Sequence, residues 1–590
     1  MSKSLRPLLL ATVFSLSAPM GVAFAQEAPV IEQAATLESL IEDYDVFARV
    51  GDPVAEARFN DTSPRTWGQV TPEYIADRAA QATTLLQRLE ALPEIGQGPE
   101  AAILRHLLQQ EIDAQTFDTA RLPMVGDWGF FAAPHFAAGR TRLTTRDDAE
   151  AWIARLRDVP RFFADNVVNM RRGIATGWTA YKDPLNTGMD QIREQLVETA
   201  DDSVLLMPFE SLDSGSLPAE EIEALKAEGR IAVMEAVAAY ADTLRFLETE
   251  YAPVAREGAG LATLEGGQTA YAAAVAHHTA GSGYSPEDIH ALGQSEVARI
   301  RAEMETIIEE VAFEGSFEDF TNFLRTDSQF YARTPAELIE KASEMSKRLD
   351  MLMPQWFRVL PRLPYGVEAV PAAIAPGYTT GRYSSGDADE GRAGTYWVNT
   401  YRLNQRPLYE LPALSAHEAV PGHHHQIAIA QELEDVPEFR RTYYATAFGE
   451  GWGLYAEKLA GEGGFYRTPY ERFGQLSYEM WRACRLVADT GLHWYGWTRE
   501  EAEACFKENT ALAPLNIQTE VTRYIGWPGQ ATAYKVGELK ILELRAMAKE
   551  ELGEAFDLRD FHDHLLGAGA MPLDALEARM VAWVEAQKPA

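Results

Sequence analysis

Four of the twelve histidines fall within one stretch, HEAVPGHHHQ, His417 to Gln426, and a carboxylate, Glu418, directly follows the first of them. Imidazole is the commonest protein ligand for zinc, and a Glu beside a ligating His is where metallohydrolases carry the base that activates water. The spacing departs from the H-E-x-x-H signature, whose two histidines lie one helical turn apart on one face; here the i+4 position is Pro421. At about 100° per residue, six steps turn an unbroken helix by about 600°, so His423 reaches the face of His417 only if the helix is interrupted. Pro421 removes a backbone donor and Gly422 accepts dihedrals that other residues resist, so a bulge there brings His423 to the i+4 place. His424 returns to the original face of a straight helix, but about 10 Å along its axis, too far for two bonds of about 2 Å to one ion.

A bare polyhistidine run is more often a surface helix end than a site, so a third ligand matters. FGEGWGLYAEKLA supplies one in Glu450, which opens a helix, and Glu457 returns to nearly the same face as an acceptor for a ligand imidazole. The expected centre is one zinc per chain on His417, His423 and Glu450, with Glu418 as general base.

The motifs HEAVPGHHHQ, EGWGLYAE, DTGLHWYGWTREEA and RYIGWPGQATAYKVG occur in that order. Together they resemble the bacterial family catalogued as domain of unknown function 885, which is similar in layout to helical gluzincin peptidases such as oligopeptidases and angiotensin-converting-enzyme-like carboxypeptidases. The resemblance spans nearly the whole mature chain and implies a zinc-dependent peptidase fold, with the substrate poorly defined even for the family. It further implies that Tyr534, in the last motif, is similar to the Tyr with which helical gluzincins stabilise a tetrahedral oxyanion; a phenol stays protonated near neutral pH and donates to charge that develops in the transition state. In zinc peptidases of the resembling fold, a strand beside the metal helix holds extended substrate. The run Thr395 to Thr400 has strand composition, and Asn399 is the candidate polar contact on it. Arg523 and Gln530 are candidates for holding the substrate's terminal carboxylate or backbone. His493 either bonds the developing oxyanion or is a core histidine, while Arg485 and Asp489 read as an internal ion pair bracing two helices.

These residues need a large scaffold, and a chain of 590 residues with 46% hydrophobic content can bury one. Residues 1–25 read as a secretory signal: Lys3 and Arg6, an apolar run from Leu8 to Val22, then Ala23-Phe24-Ala25 before the cut. The run is short for a membrane span and no Cys follows it to carry a lipid, so the expected address is the periplasm, with no stable membrane association after cleavage. A net charge of −35 argues against nucleic acid as a partner. Cys484 and Cys505 lie in apolar, helix-like surroundings that favour buried thiols over a disulfide. The oligomeric state stays open.

Apolar residues recur at three-to-four spacing through most of the chain, for example over 75–92 and 102–115, which predicts helices. Thr145, Ser285, Thr334 and Thr498 each stand three residues before a carboxylate, a helix-start pattern, with Pro286 and Pro335 at first helical positions. The segment 360–404 is rich in Pro, Gly, Tyr and Ser and departs from this. The expected fold is mainly α, a large helical two-lobed peptidase fold with a deep cleft and a small β-sheet near the zinc helix. Residues 26–270 form its N-terminal lobe and 271–590 the lobe carrying the zinc site. The function expected is a zinc-dependent metallopeptidase acting on short peptides, a covered cleft admitting small substrates by analogy of fold. Two alternatives remain: a zinc hydrolase of a non-peptide amide or ester, and a non-catalytic periplasmic metal- or peptide-binding protein. The presence of Glu418 speaks against the second, since a binding site has no need of a base.

Overall fold

Helices begin where the sequence places caps. Thr145, Ser285 and Thr498 each form a reciprocal capping box, with Asp148, Asp288 and Glu501, and Thr334 accepts from the Glu337 N–H. Each hydroxyl satisfies one of the backbone donors that a helix start leaves without an internal partner. These assignments come from a computed structural model that describes residues 36–588, except 94–97, 126–127, 213–214, 216, 373–374, 389–390 and 435. The expected signal segment lies outside the described residues.

The molecule is mainly helical with a small three-stranded sheet, as the sequence predicts. Its first helices are α1 (Leu37–Gly51), α2 (Pro72–Glu90) and α3 (Pro99–Thr116), followed by α4 (Val159–Thr176) and α5 (Ala219–Phe246). Two hydrophobic cores form. One gathers Trp67 with apolar residues between Met124 and Tyr251, largely from α4, α5 and their neighbours. The other joins Leu40, Leu85, Leu104 and Leu108 to residues from Ala259 to Val584. The apolar faces of α1 to α3, expected in an N-terminal lobe, are therefore buried in the core that holds the metal motifs. Helices α2 and α3 pack along one another, and α3 lies against α6 (Gly267–His278).

After α7 (Pro286–Glu310) come the strands β1 (Tyr365–Ala369), β2 (Gly381–Ser384) and β3 (Gly394–Val398). The sheet order is β1–β3–β2; β1 runs parallel to β3, with Tyr365 opposite Gly394, and β2 antiparallel, with Gly381 opposite Val398. This leaves β2 at an edge, next to the helix that ends in the His-Glu pair. That helix is α8 (Leu411–Glu418), succeeded by α9 (His423–Gln431), α10 (Thr446–Glu462), α11 (Pro469–His493), α12 (Arg499–Asn509), α13 (Pro514–Gly526), α14 (Ala533–Leu552) and α15 (Leu573–Gln587).

Helix α11 is the axis of the second core, buried from Leu476 through His493. A helix surrounded on all sides must pair its polar side chains with its neighbours. Glu479 accepts from Lys535 of α14 at 2.7 Å and Arg482 approaches Glu457 of α10. The Arg485–Asp489 pair expected from the sequence is not formed. Arg485 reaches Glu520 and the Tyr524 hydroxyl on α13, while Asp489 accepts from the Tyr271 hydroxyl at 2.7 Å and the Gly529 N–H at 2.9 Å. The cysteine expectation is also corrected, because Cys484 and Cys505 form a disulfide. The turn between α11 and α12, where Gly496 has φ 73°, folds α12 back on α11 and sets the two Cα atoms 5.7 Å apart, within bridging range.

Candidate metal centre

The interruption between α8 and α9 carries the geometry. Helix α8 stops at Glu418 and α9 starts at His423, and the His424 N–H bonds back five residues to the Ala419 carbonyl, one more than a regular turn. Only glycine fits at 422, since a Cβ there would lie 1.9 Å from the His417 carbonyl oxygen and 2.5 Å from that of Ala416. Trp452 of α10 pins the loop by donating its indole N–H to the Pro421 carbonyl at 2.8 Å. As a result the His417 and His423 rings meet edge to face, with centroids 4.6 Å apart.

Glu450, in the first turns of α10, completes the group. Its Oε2 lies 3.5 Å from His417 Nε2 and 3.4 Å from His423 Nε2. These three are the set of ligand atoms among the described residues that could hold a metal ion, all within 4.8 Å of one another. Two ligands each about 2.05 Å from a tetrahedral ion stand about 3.3 Å apart, close to both Glu450 distances. His417 is oriented for ligation because its other nitrogen, Nδ1, donates to Glu457 Oε1 at 2.8 Å, the carboxylate–histidine arrangement that directs Nε2 at a metal. Gly453 makes the space for that ring: a Cβ there would sit 2.6 Å from His417 Cε1. The residues present therefore fit zinc.

Charge supports the same picture. Burial drives the His417 imidazole towards neutrality, yet Glu450, Glu457 and Glu418 outweigh it and push its pKa up to about 9. Burial also raises the Glu450 carboxyl, but the imidazoles of His423 and His417 hold it well below the usual range. The carboxylates around His417 thus favour a positive charge beside them, and a metal ion bound to its Nε2 would have to displace the proton there.

Around this group stand the other chemical residues. Glu418 accepts the Tyr383 N–H of edge strand β2 at Oε2, 2.8 Å away, so the strand fixes the carboxylate. Tyr534 arrives on α14, which crosses α10 at contact distance because both helices carry glycine there. A Cβ on Gly451 would lie 2.5 Å from the Gly537 carbonyl carbon, and one on Gly537 would lie 1.8 Å from the Ala447 carbonyl oxygen. Burial and the charge of Glu450 raise the Tyr534 phenol, opposed by Arg485, Arg523 and a hydrogen bond with Gln530, so it is protonated near neutral pH. The Arg485 guanidinium lies 4.3 Å over its ring.

The remaining sequence candidates divide. His424 turns away to the sheet, with Nδ1 2.9 Å from the Tyr383 hydroxyl, so His423 is the histidine in reach of His417. Arg523 and Gln530 bond to one another beside Tyr534. Asn399 is not a substrate contact: fully buried, it donates to the carbonyls of Ala375, Tyr378 and Thr379 and accepts from the Tyr401 N–H, shaping the loop into β2. His493 is a core histidine and not an oxyanion donor. Its Nδ1 accepts from the Leu261 N–H, its Nε2 bonds the Tyr524 carbonyl, and burial pushes its pKa down to about 3. Sequence reasoning missed Tyr383, Tyr444, whose hydroxyl bonds Glu450 Oε1, and the glycines of FGEGWG. Those glycines were a usable signal, because each costs about 1 kcal/mol inside a helix and three in five residues need a steric reason.

Residues 53–580 match the family described as "Bacterial protein of unknown function (DUF885)". The crystal structure of a "putative lipoprotein" from Colwellia psychrerythraea is similar, with 26% identity and a TM-score of 0.82 over 94% of this chain and 100% of that one. A "putative lipoprotein of unknown function" from Shewanella oneidensis shares the fold at 16% identity and a TM-score of 0.72, over 93% of this chain and 100% of that one. No curated protein matches the chain.

Proposed function

Since the chain belongs to the DUF885 family of bacterial proteins, whose description assigns no activity, we propose its function from the site: a zinc-dependent metallopeptidase of helical gluzincin type that hydrolyses short peptides. The observation that carries this reading is the convergence of His417 Nε2 and His423 Nε2 on Glu450 Oε2, at 3.5 and 3.4 Å, with all three ligand atoms within 4.8 Å of one another and Glu418 next in the chain to one of them. Bound there, zinc supplies a Lewis acid that polarises a carbonyl and makes water acidic near neutral pH.

The protein's own groups do the rest. Glu418, steadied through Oε2 by β2, takes the proton of the attacking water and returns it to the departing amine. Tyr534 donates its hydroxyl hydrogen to the oxyanion that develops on the scissile carbonyl, and Gln530 and Arg523 keep that phenol in place. The edge strand β2 offers backbone groups to an extended peptide laid beside Glu418. The signal-like first 25 residues, the disulfide and the similar Colwellia structure described as a lipoprotein support an envelope address, and we put the mature chain in the periplasm. Among the described residues no helix is long and apolar enough to cross a membrane.

Mass-spectrometric scoring of a peptide library with the purified mature chain tests the reading. It expects cleavage that a chelator abolishes and zinc restores, and that Glu418→Gln lowers by about 10²–10⁴-fold with zinc retained. Chelator-resistant cleavage, or full turnover in Glu418→Gln, overturns it. Turnover of esters or non-peptide amides alone moves the chain to the other hydrolase class.

A further inference from the structure

Glu450 has two carboxylate oxygens, and the structure gives them different partners. Oε2 faces both imidazoles, while Oε1 accepts the hydroxyl of Tyr444 at 3.2 Å. Tyr444 lies just before α10, and its ring crosses the helix's first turn over Gly449. A Cβ on Gly449 would stand 2.5 Å from the ring's Cε2 and 2.7 Å from Cζ and the hydroxyl oxygen, so the ring's seat exists only because residue 449 is glycine. Core packing does not account for the residue, since Tyr444 is 45% exposed. The other nearby phenol, Tyr534, is engaged with Gln530.

We propose that Tyr444 is a positioning residue for the metal ligand Glu450, latching Oε1 so that Oε2 alone is presented to the ion. This rests on the zinc reading above. A Glu side chain loses rotamer freedom when it binds an ion, and a hydrogen bond formed beforehand removes part of that cost. The latch also stops the carboxylate from turning both oxygens inward, which keeps a position free for substrate at a centre with three protein ligands.

Titration of Zn²⁺ into metal-free mature protein against a chromophoric chelator tests it, with the visible absorption of the Co²⁺-loaded protein as a readout of coordination. Tyr444→Phe keeps the ring and loses the hydroxyl. The zinc Kd rises about 10–100-fold, the Co²⁺ spectrum changes, and the metal-free melting temperature does not move. Gly449→Ala evicts the ring and raises Kd similarly, and the double variant shows one loss rather than the product of two. Wild-type zinc affinity in Tyr444→Phe, or a loss matched by lower metal-free stability, overturns the latch while leaving the zinc reading intact. Failure of the wild type to bind zinc removes both.

Discussion

Replacing Gly453 by Ala adds one methyl group inside α10, where helix propensity alone favours Ala by about 1 kcal/mol. The structure reverses that sign. The new Cβ would lie 2.6 Å from His417 Cε1, 2.8 Å from Nε2 and 2.9 Å from Nδ1, so the imidazole must retreat by about 0.8 Å to regain ordinary contact. The ring has no slack, being held at 2.8 Å by Glu457 on one side. A retreat of that size strains the bond to Glu457 and takes Nε2 off the ligand position. Loss of such a supporting bond weakens metal binding by about 10–100-fold, and the overpacking costs about 1–3 kcal/mol. Competitive zinc titration and thermal melting of the metal-free protein should therefore show a Kd raised at least tenfold and a lowered melting temperature. Gly451→Ala, two residues away, is the contrast. Its Cβ would meet the Gly537 backbone, not His417, so it should shift Tyr534 and lower kcat while zinc affinity stays near that of the wild type. A Gly453→Ala variant that is stabilised, as propensity predicts, and binds zinc normally would refute the steric argument.

Tyr534→Phe should lower kcat by about a hundredfold with KM nearly unchanged and little change in melting, since ring volume is kept; normal kcat with a stability loss would remove Tyr534 from the catalytic set. Asp489 gives a pH test. Burial raises its carboxyl from 3.8 to about 7, against the hydrogen bonds from Tyr271 and Gly529. Between those pH values the folded chain holds a proton that the unfolded chain has lost, so this group's stabilisation is full below pH 4, falls as pH rises to about 7, and is level above. The span is worth at most about 4 kcal/mol. Asp489→Asn should therefore gain on the wild type in chemical denaturation as pH rises from 4 to 7, and an equal difference at both ends would count against the assignment.

What could be read in the sequence was local. His417, Glu418, His423 and Glu450 declare themselves by donor type, and the Pro421-Gly422 break that lets His423 join them follows from two residues' backbone chemistry. Helix starts at Thr145, Ser285 and Thr498 were legible because a capping box spans four residues. The failures share a cause, a partner far away in the chain. His493 is a core residue because of Leu261, 232 positions earlier, and Asn399 is structural because of the carbonyls that precede β2. Arg485 and Asp489, read as an internal ion pair bracing two helices, are claimed by α13 and by Tyr271 and Gly529 instead. The glycines of FGEGWG are each explained by an atom they approach: the Tyr444 ring, the Gly537 backbone and the His417 imidazole. Two of these three atoms lie in distant segments, so the sequence shows that the glycines need a reason but not what the reason is.

Metal analysis of the purified mature chain and its histidine variants tests the central claim most directly. His417, His423 and Glu450 converge at ligand spacing while His424 turns to Tyr383, so the wild type should carry about one zinc per chain. His417→Ala and His423→Ala should lose it, and His424→Ala should keep it. Stoichiometric zinc retained in His423→Ala, with loss in His424→Ala, would contradict the account.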